Sequence, residues 1–130
     1  MNIISAAFSF LVFLRTAMTA TANSYRIPSV LRWNRIAIDA SGLDHTPVSV
    51  DETRVFGEQL GPTRSSRAMA IVHISMFDAM NAVLGGFHGY AYKLPAENGT
   101  SGDAAIAQAA HDSLAALFPS QKPTFDKFFL

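Results

Sequence analysis

The sequence predicts an all-α fold, a partial helical bundle of about four helices behind a signal peptide. Two patterns carry this expectation. Met69, Val72, Met76, Met80 and Val83 recur at spacings of three and four between the breakers Gly61-Pro62 and Gly85-Gly86. Ile106, Ala110, Leu114, Leu117 and Phe118 form a second stripe between Ser101 and Pro119. With 130 residues and 49% of them apolar, the chain can build one core and hold one small domain at most.

Each element has its own signals. Ile3 to Leu14 is an apolar run too short for a bilayer, which needs about 20 residues. Ala20-Thr21-Ala22 and then Asn23 follow it, a small-x-small cleavage pattern. Residues 1–22 are therefore expected to be a signal peptide, and the protein to be secreted or periplasmic with no membrane segment in its mature form. No Lys or Arg precedes the run, and Arg15 follows it. An uncleaved anchor or a misassigned start stays open. Pro28 suits the first turn of a helix over Ser29 to Ala40, with Gly42 beyond its end. Arg32, Arg35 and Asp39 share one face of it. Leu43 to Pro62 is expected as a loop with at most one helical turn near Val55 to Leu60, although Val48, Val50 and Val55 resemble a short strand. A loop this long often has a role of its own.

Thr63 to Leu84 is the clearest helix. Ile71, Ile74, Ala79 and Ala82 make its other face apolar as well, which suits the centre of a bundle. Phe87 to Gly102 reads as a loop, and its Asn98-Gly99-Thr100 matches a glycosylation sequon. A helix over Asp103 to Phe118 follows. Ser101 caps it, and its alanines permit close helix–helix approach. After Pro119 a last helix starts at Ser120, with Phe125, Phe128 and Phe129 on its apolar side. The sequence stops there without a cap. Its partner helices are expected in a missing C-terminal region.

Composition excludes several functions. Ten basic and ten acidic residues give a net charge of zero, so nothing marks a nucleic-acid partner. The absence of cysteine removes disulfides, thiolate metal sites and a cysteine nucleophile together. No HExxH or His-x-His occurs, no G-x-S-x-G elbow, and no phosphate-binding glycine loop. Of the four histidines, His73 falls within the methionine stripe and is expected in the core, bonded to a neighbour. Adjacent His111 and Asp112 point in different directions on a helix and are not expected to pair. Arg67 and Asp78 share a face of the main helix, where burial calls for partners such as Arg32 or Arg35. Asn81 can cap a loop. Asp51, Glu52 and Glu58 show no pairing. Catalytic, cofactor-binding and metal residues are thus all expected to be none.

Three stretches resemble the N-terminal region of vanadium-dependent haloperoxidase-related proteins, in the type-2 phosphatidic-acid-phosphatase superfamily. They are Val30-Leu31-Arg32-Trp33-Asn34, the more specific block from Gly61-Pro62-Thr63-Arg64 to Asp78-Ala79-Met80-Asn81-Ala82, and Ala104 to Leu114 with Leu117-Phe118-Pro119. The resemblance implies a helical-bundle fold and a parent activity of peroxide-dependent halide oxidation with bound vanadate. Phosphate-ester hydrolysis is the alternative, and a non-catalytic helical binding module lies outside both. The family's later motifs are Lys-x6-Arg-Pro, Pro-Ser-Gly-His and Ser-Arg-x5-His-x3-Asp. None is present, and Pro119-Ser120-Gln121-Lys122 shares only two residues with the second. No catalytic residue is transferred. His73, Asp78 and His111 are expected to support the fold, and the missing C-terminal catalytic region is the expected partner. Homo-oligomerisation stays open. A last helix without partners predicts that the isolated 23–130 chain is poorly soluble or molten. A sharp cooperative melt of a monomer would contradict that.

Overall fold

Proline at 28 and 62, with serine at 101, sets the helix starts. The computed structural model describes residues 28–129. Within them lie α1 Ser29–Asp44, α2 Pro62–Leu84, α3 Gly102–Leu117, a 3-10 turn Pro119–Gln121 and α4 Lys122–Phe129. No strand occurs among the described residues, so the valines of the first loop do not pair as one. The fold is all-α, as the periodicity predicts. The signal-peptide expectation falls on residues outside the described part.

α3 is the hub. It packs along α2 over the longest contact and also touches α1 and α4. Ala37, Ala68 and Ala110 are completely buried, and their small side chains let the helix axes approach closely. The space between is filled by Trp33 and Ile36 of α1, Val72 and Met76 of α2, and Ile106 and Leu114 of α3. Phe118 and Phe125 close the far end. Each such apolar side chain stabilises the fold by about 1.5–3 kcal/mol relative to exposure. Phe125 is only 1% exposed. This corrects the expectation that the last helix lacks partners, and with it the basis for a molten chain. Phe128 and Phe129 remain exposed.

The first helix also runs past its predicted end. Gly42 lies inside α1, which continues to Asp44. A helical glycine costs about 1 kcal/mol relative to alanine, and the bonds made by the extra turn offset it. Asp44 is fully buried. Its carboxylate accepts the backbone N–H groups of Glu58 at 2.7 Å and Gln59 at 2.9 Å. Its carbonyl accepts that of Gly57. Arg54 donates to the carbonyls of Leu43, Thr46 and Pro47 and pairs with Glu52 at 2.9 Å. The guanidinium thus serves the α1 C-terminus, where carbonyls are unpaired and the dipole favours a cation.

The same loop reaches across the bundle. Glu58 accepts the Ser120 N–H and hydroxyl at 3.0 and 2.8 Å, capping the turn before α4. Gln59 donates to the Leu117 carbonyl, and Gln121 to that of Ala40. His45 Nε2 accepts the Gly61 N–H just before α2. Glu52 and Glu58, expected to be unpaired, are both engaged. Removing the Asp44 carboxylate leaves two amides of the loop without acceptors, a loss of about 1–3 kcal/mol for each that stays buried. Asp44→Ala should therefore lower the unfolding free energy by about 3 kcal/mol in urea titrations. A change below about 0.5 kcal/mol, the range of a neutral surface substitution, would contradict this account.

Candidate functional site

The second connection is built on α2. Asp78 faces the loop that follows the helix and is 4% exposed. Its carboxylate accepts three consecutive backbone N–H groups, Tyr90 at 2.7 Å, Ala91 at 2.8 Å and Tyr92 at 2.9 Å. Asn81, one turn on, exchanges two bonds with the backbone of Phe87. Gly85 ends the helix at φ +70°, a conformation that favours glycine. Gly89 is needed for another reason. A Cβ there would stand 1.9 Å from the Tyr92 carbonyl oxygen. The loop is thereby folded back over the end of α2.

Two open cavities flank this clamp. One, of about 430 Å³, lies over the α2 C-terminus among Phe87, His88, Tyr92 and Lys93. The other, of about 530 Å³, is a trench between α2 and α3 that Ala91, Tyr92 and Ala96 of the loop also line. Its walls are mostly small: Ala79 and Ala82 from α2, Ala105 and Ala109 from α3, with Ser75 and Ser113. Asp78 and Asp112 also border it.

A second polar cluster joins α3 to α4. His111 Nδ1 lies 3.0 Å from Asp112 and Nε2 2.7 Å from Asp126. The expectation that His111 and Asp112 do not pair is corrected. Adjacent helix positions are about 100° apart, yet the Asp112 carboxylate lies within hydrogen-bond distance of the ring. Asp126 also receives Lys122 at 2.8 Å, and Gln108 donates to Asp112. The carboxylates of Asp112 and then Asp126 push the His111 pKa above its ordinary 6.5, against a smaller effect of burial.

The other residues singled out do not converge. His73 is exposed rather than in the core, where Val72 and Met76 take the inward positions. It is bonded as expected: Nδ1 lies 2.9 Å from the Met69 carbonyl and Nε2 3.0 Å from the Asn34 amide oxygen of α1. Arg67 and Asp78 do not find arginine or carboxylate partners on another helix. Arg67 is exposed to water, and Asp78 takes backbone amides. Arg35 pairs with Asp39 at 3.2 Å on its own helix, and Arg32 donates to the Phe128 carbonyl.

A multiply charged oxyanion such as vanadate needs several donors aimed at one point. The cations present do not provide that. Arg32, Arg35, Arg54 and Lys122 are committed to the partners described above. Arg64 and Arg67 stand exposed on the opening turns of α2, Lys93 on the loop after it and Lys127 on α4. The described residues therefore do not fit that group. Nor do they contain a cluster of three or more His, Asp or Glu able to hold a metal ion. No described helix is long and apolar enough to cross a membrane. Comparison with protein-family models, curated proteins and solved structures finds no match to the chain.

The backbone amides of Tyr92, Ala91 and Tyr90 hold the Asp78 carboxyl below its ordinary 3.8, against the opposing effect of burial. A depressed folded-state pKa gives stability that is present above the unfolded value and is lost as the pH falls through the folded value. Acidification should thus leave the Tyr90–Tyr92 amides in place until the pH is below 3.8. Asp78→Asn should loosen them already at neutral pH. Amide chemical shifts across an acid titration read both effects. Release of the wild-type loop above that value would contradict the assignment.

Proposed function

We propose that this chain is the N-terminal helical part of a vanadium-haloperoxidase-like protein, a scaffold for a catalytic region that supplies the oxyanion pocket. The trench between α2 and α3 is the observation that supports this best. Walls of alanine and serine at helical spacing allow another helix to lie close, as alanine does within the bundle itself. The resemblance of Gly61 to Ala82 supports it too, because the residues of that block act in packing and loop fastening. The parent chemistry under this proposal is peroxide-dependent halide oxidation with vanadate. Phosphate-ester hydrolysis by the same superfamily is the alternative, since one oxyanion pocket serves both. In either case the reacting groups come from the catalytic region, and this chain contributes support.

A non-catalytic helical binding module is the second reading. Phe128 and Phe129, exposed at the end of α4, favour it.

Two measurements apply: the first tests whether the chain has a site of its own, and the second separates the two readings. Calorimetry with vanadate and with phosphate, and a halide-oxidation assay on the same purified chain, should show neither binding nor turnover. Stoichiometric binding would contradict the scaffold proposal and direct attention to Arg64, Arg67, His73 and His111. The coding sequence beyond Leu130 should continue into a Pro-Ser-Gly-His motif. A stop codon there, with a soluble monomeric product, would favour the binding module.

A further inference from the structure

His111 is held in a way that favours its protonated form. Carboxylate oxygens only accept hydrogen bonds, and one lies against each ring nitrogen, at 3.0 Å from Nδ1 and 2.7 Å from Nε2. Both contacts are hydrogen bonds only if both nitrogens carry a proton, so the ring that fits this geometry is the imidazolium. A neutral ring donates to one carboxylate and turns a lone pair toward the other.

The two carboxylates differ in what they report. Asp112 neighbours His111 on α3 and stays beside it whether α4 is docked or not. Asp126 belongs to α4, so its bond exists only in the docked state. The Phe129 ring, also from α4, lies against the imidazole with centroids 4.9 Å apart. Lys122 of α4 bonds both oxygens of Asp126, and Gln108 of α3 donates to Asp112. From α1, Arg32 donates to the Phe128 carbonyl of α4, and α4 also carries the exposed Lys127. Among the described residues α2 brings no charged group within hydrogen-bond range of the ring. With the ring protonated, the cluster of His111, Lys122, Asp112 and Asp126 balances to zero. With the ring neutral it carries one uncompensated negative charge at the α3–α4 junction.

We propose that His111 is a proton-operated latch, closed while the ring is protonated and loosened when it is neutral, that sets how firmly α4 docks on α3. It is independent of the scaffold proposal and concerns a junction that needs no missing segment. The raised pKa of His111 fixes the sign. A group whose pKa is raised in the folded state gives stability that is present below the unfolded value and is lost as the pH rises through the folded value. Asp126 is shifted the other way, by Lys122 first and His111 second, so the latch also fails in strong acid, when that carboxylate protonates. The closed window lies between those limits. Linkage sets the size of the effect: each unit by which α4 docking raises the His111 pKa makes docking about tenfold weaker once the ring is neutral.

The test is an NMR titration of the full chain from about pH 5 to about pH 9, a span that brackets histidine titration. It follows the His111 ring signals together with the amides of Phe125 and Phe129. The ring should titrate above 6.5, and the α4 amides should move with the same midpoint toward a more open state. In Asp126→Asn the ring midpoint should fall, and α4 should no longer respond to it. In Asp112→Asn the midpoint should also fall, but the α4 response should persist at the new midpoint. A merely structural histidine would shift stability in these variants without moving the α4 response with the ring. A wild-type ring that titrates at or below 6.5, or α4 amides that show no transition at the ring midpoint, would overturn the proposal. Both of those readings come from the unaltered chain, so a variant that fails to fold does not spoil the test.

Discussion

A backbone amide buried without an acceptor is expensive, and two long connections in this small bundle are folded against it. The fold resolves the problem twice in the same way, with a helical aspartate turned out to collect loop amides. Asp44 at the end of α1 takes Glu58 and Gln59, and Asp78 near the end of α2 takes Tyr90, Ala91 and Tyr92. Among the described residues no lysine or arginine lies within salt-bridge range of either carboxylate; the His45 ring is 3.9 Å from Asp44. Amide donors supply what a salt bridge would otherwise supply. Everything else about the connections follows from these two anchors: the extension of α1 through Gly42, the reach of Glu58 to the start of α4, and the backbone crowding that demands glycine at 89.

Much of this architecture is legible in the sequence, and the division has a physical cause. The cores of α2 and α3 are visible because apolar spacing and flanking Gly, Pro and Ser are local signals. Val72 and Met76, or Ile106, Ala110 and Leu114, could be placed inward from their spacing alone. Asp44 could not. It follows a glycine that locally signals a helix end, and its partners lie 14 and 15 residues away. Asp78 stands out in the sequence as a charge on an apolar helix, but its acceptor role depends on the loop path, which composition does not encode. His73 shows the opposite error. It lies one residue from Val72, so a rotation of about 100° carries it from the core to the surface.

Three polar side chains outside the loops work between helices. Arg32 ties α1 to α4, His73 ties α2 to α1, and His111 ties α3 to α4. Residues that a chemical reading of the sequence would choose are therefore spent on assembly, and no two of the histidines meet. Of the two open cavities, the trench between α2 and α3 is lined mainly by small side chains. That contrast, polar groups engaged between helices beside an open trench of small side chains, is what supports the proposed scaffold role.

Native-state hydrogen exchange tests the central claim most directly. If helical aspartates anchor both connections, the amides of Glu58, Gln59, Tyr90, Ala91 and Tyr92 should exchange about as slowly as core helix amides such as those of Val72 and Leu114. Protection would then come from the whole fold rather than from local fluctuation. Exchange of those five amides at the rate of an unstructured chain, with the helix amides still protected, would mean that the aspartates do not hold the loops.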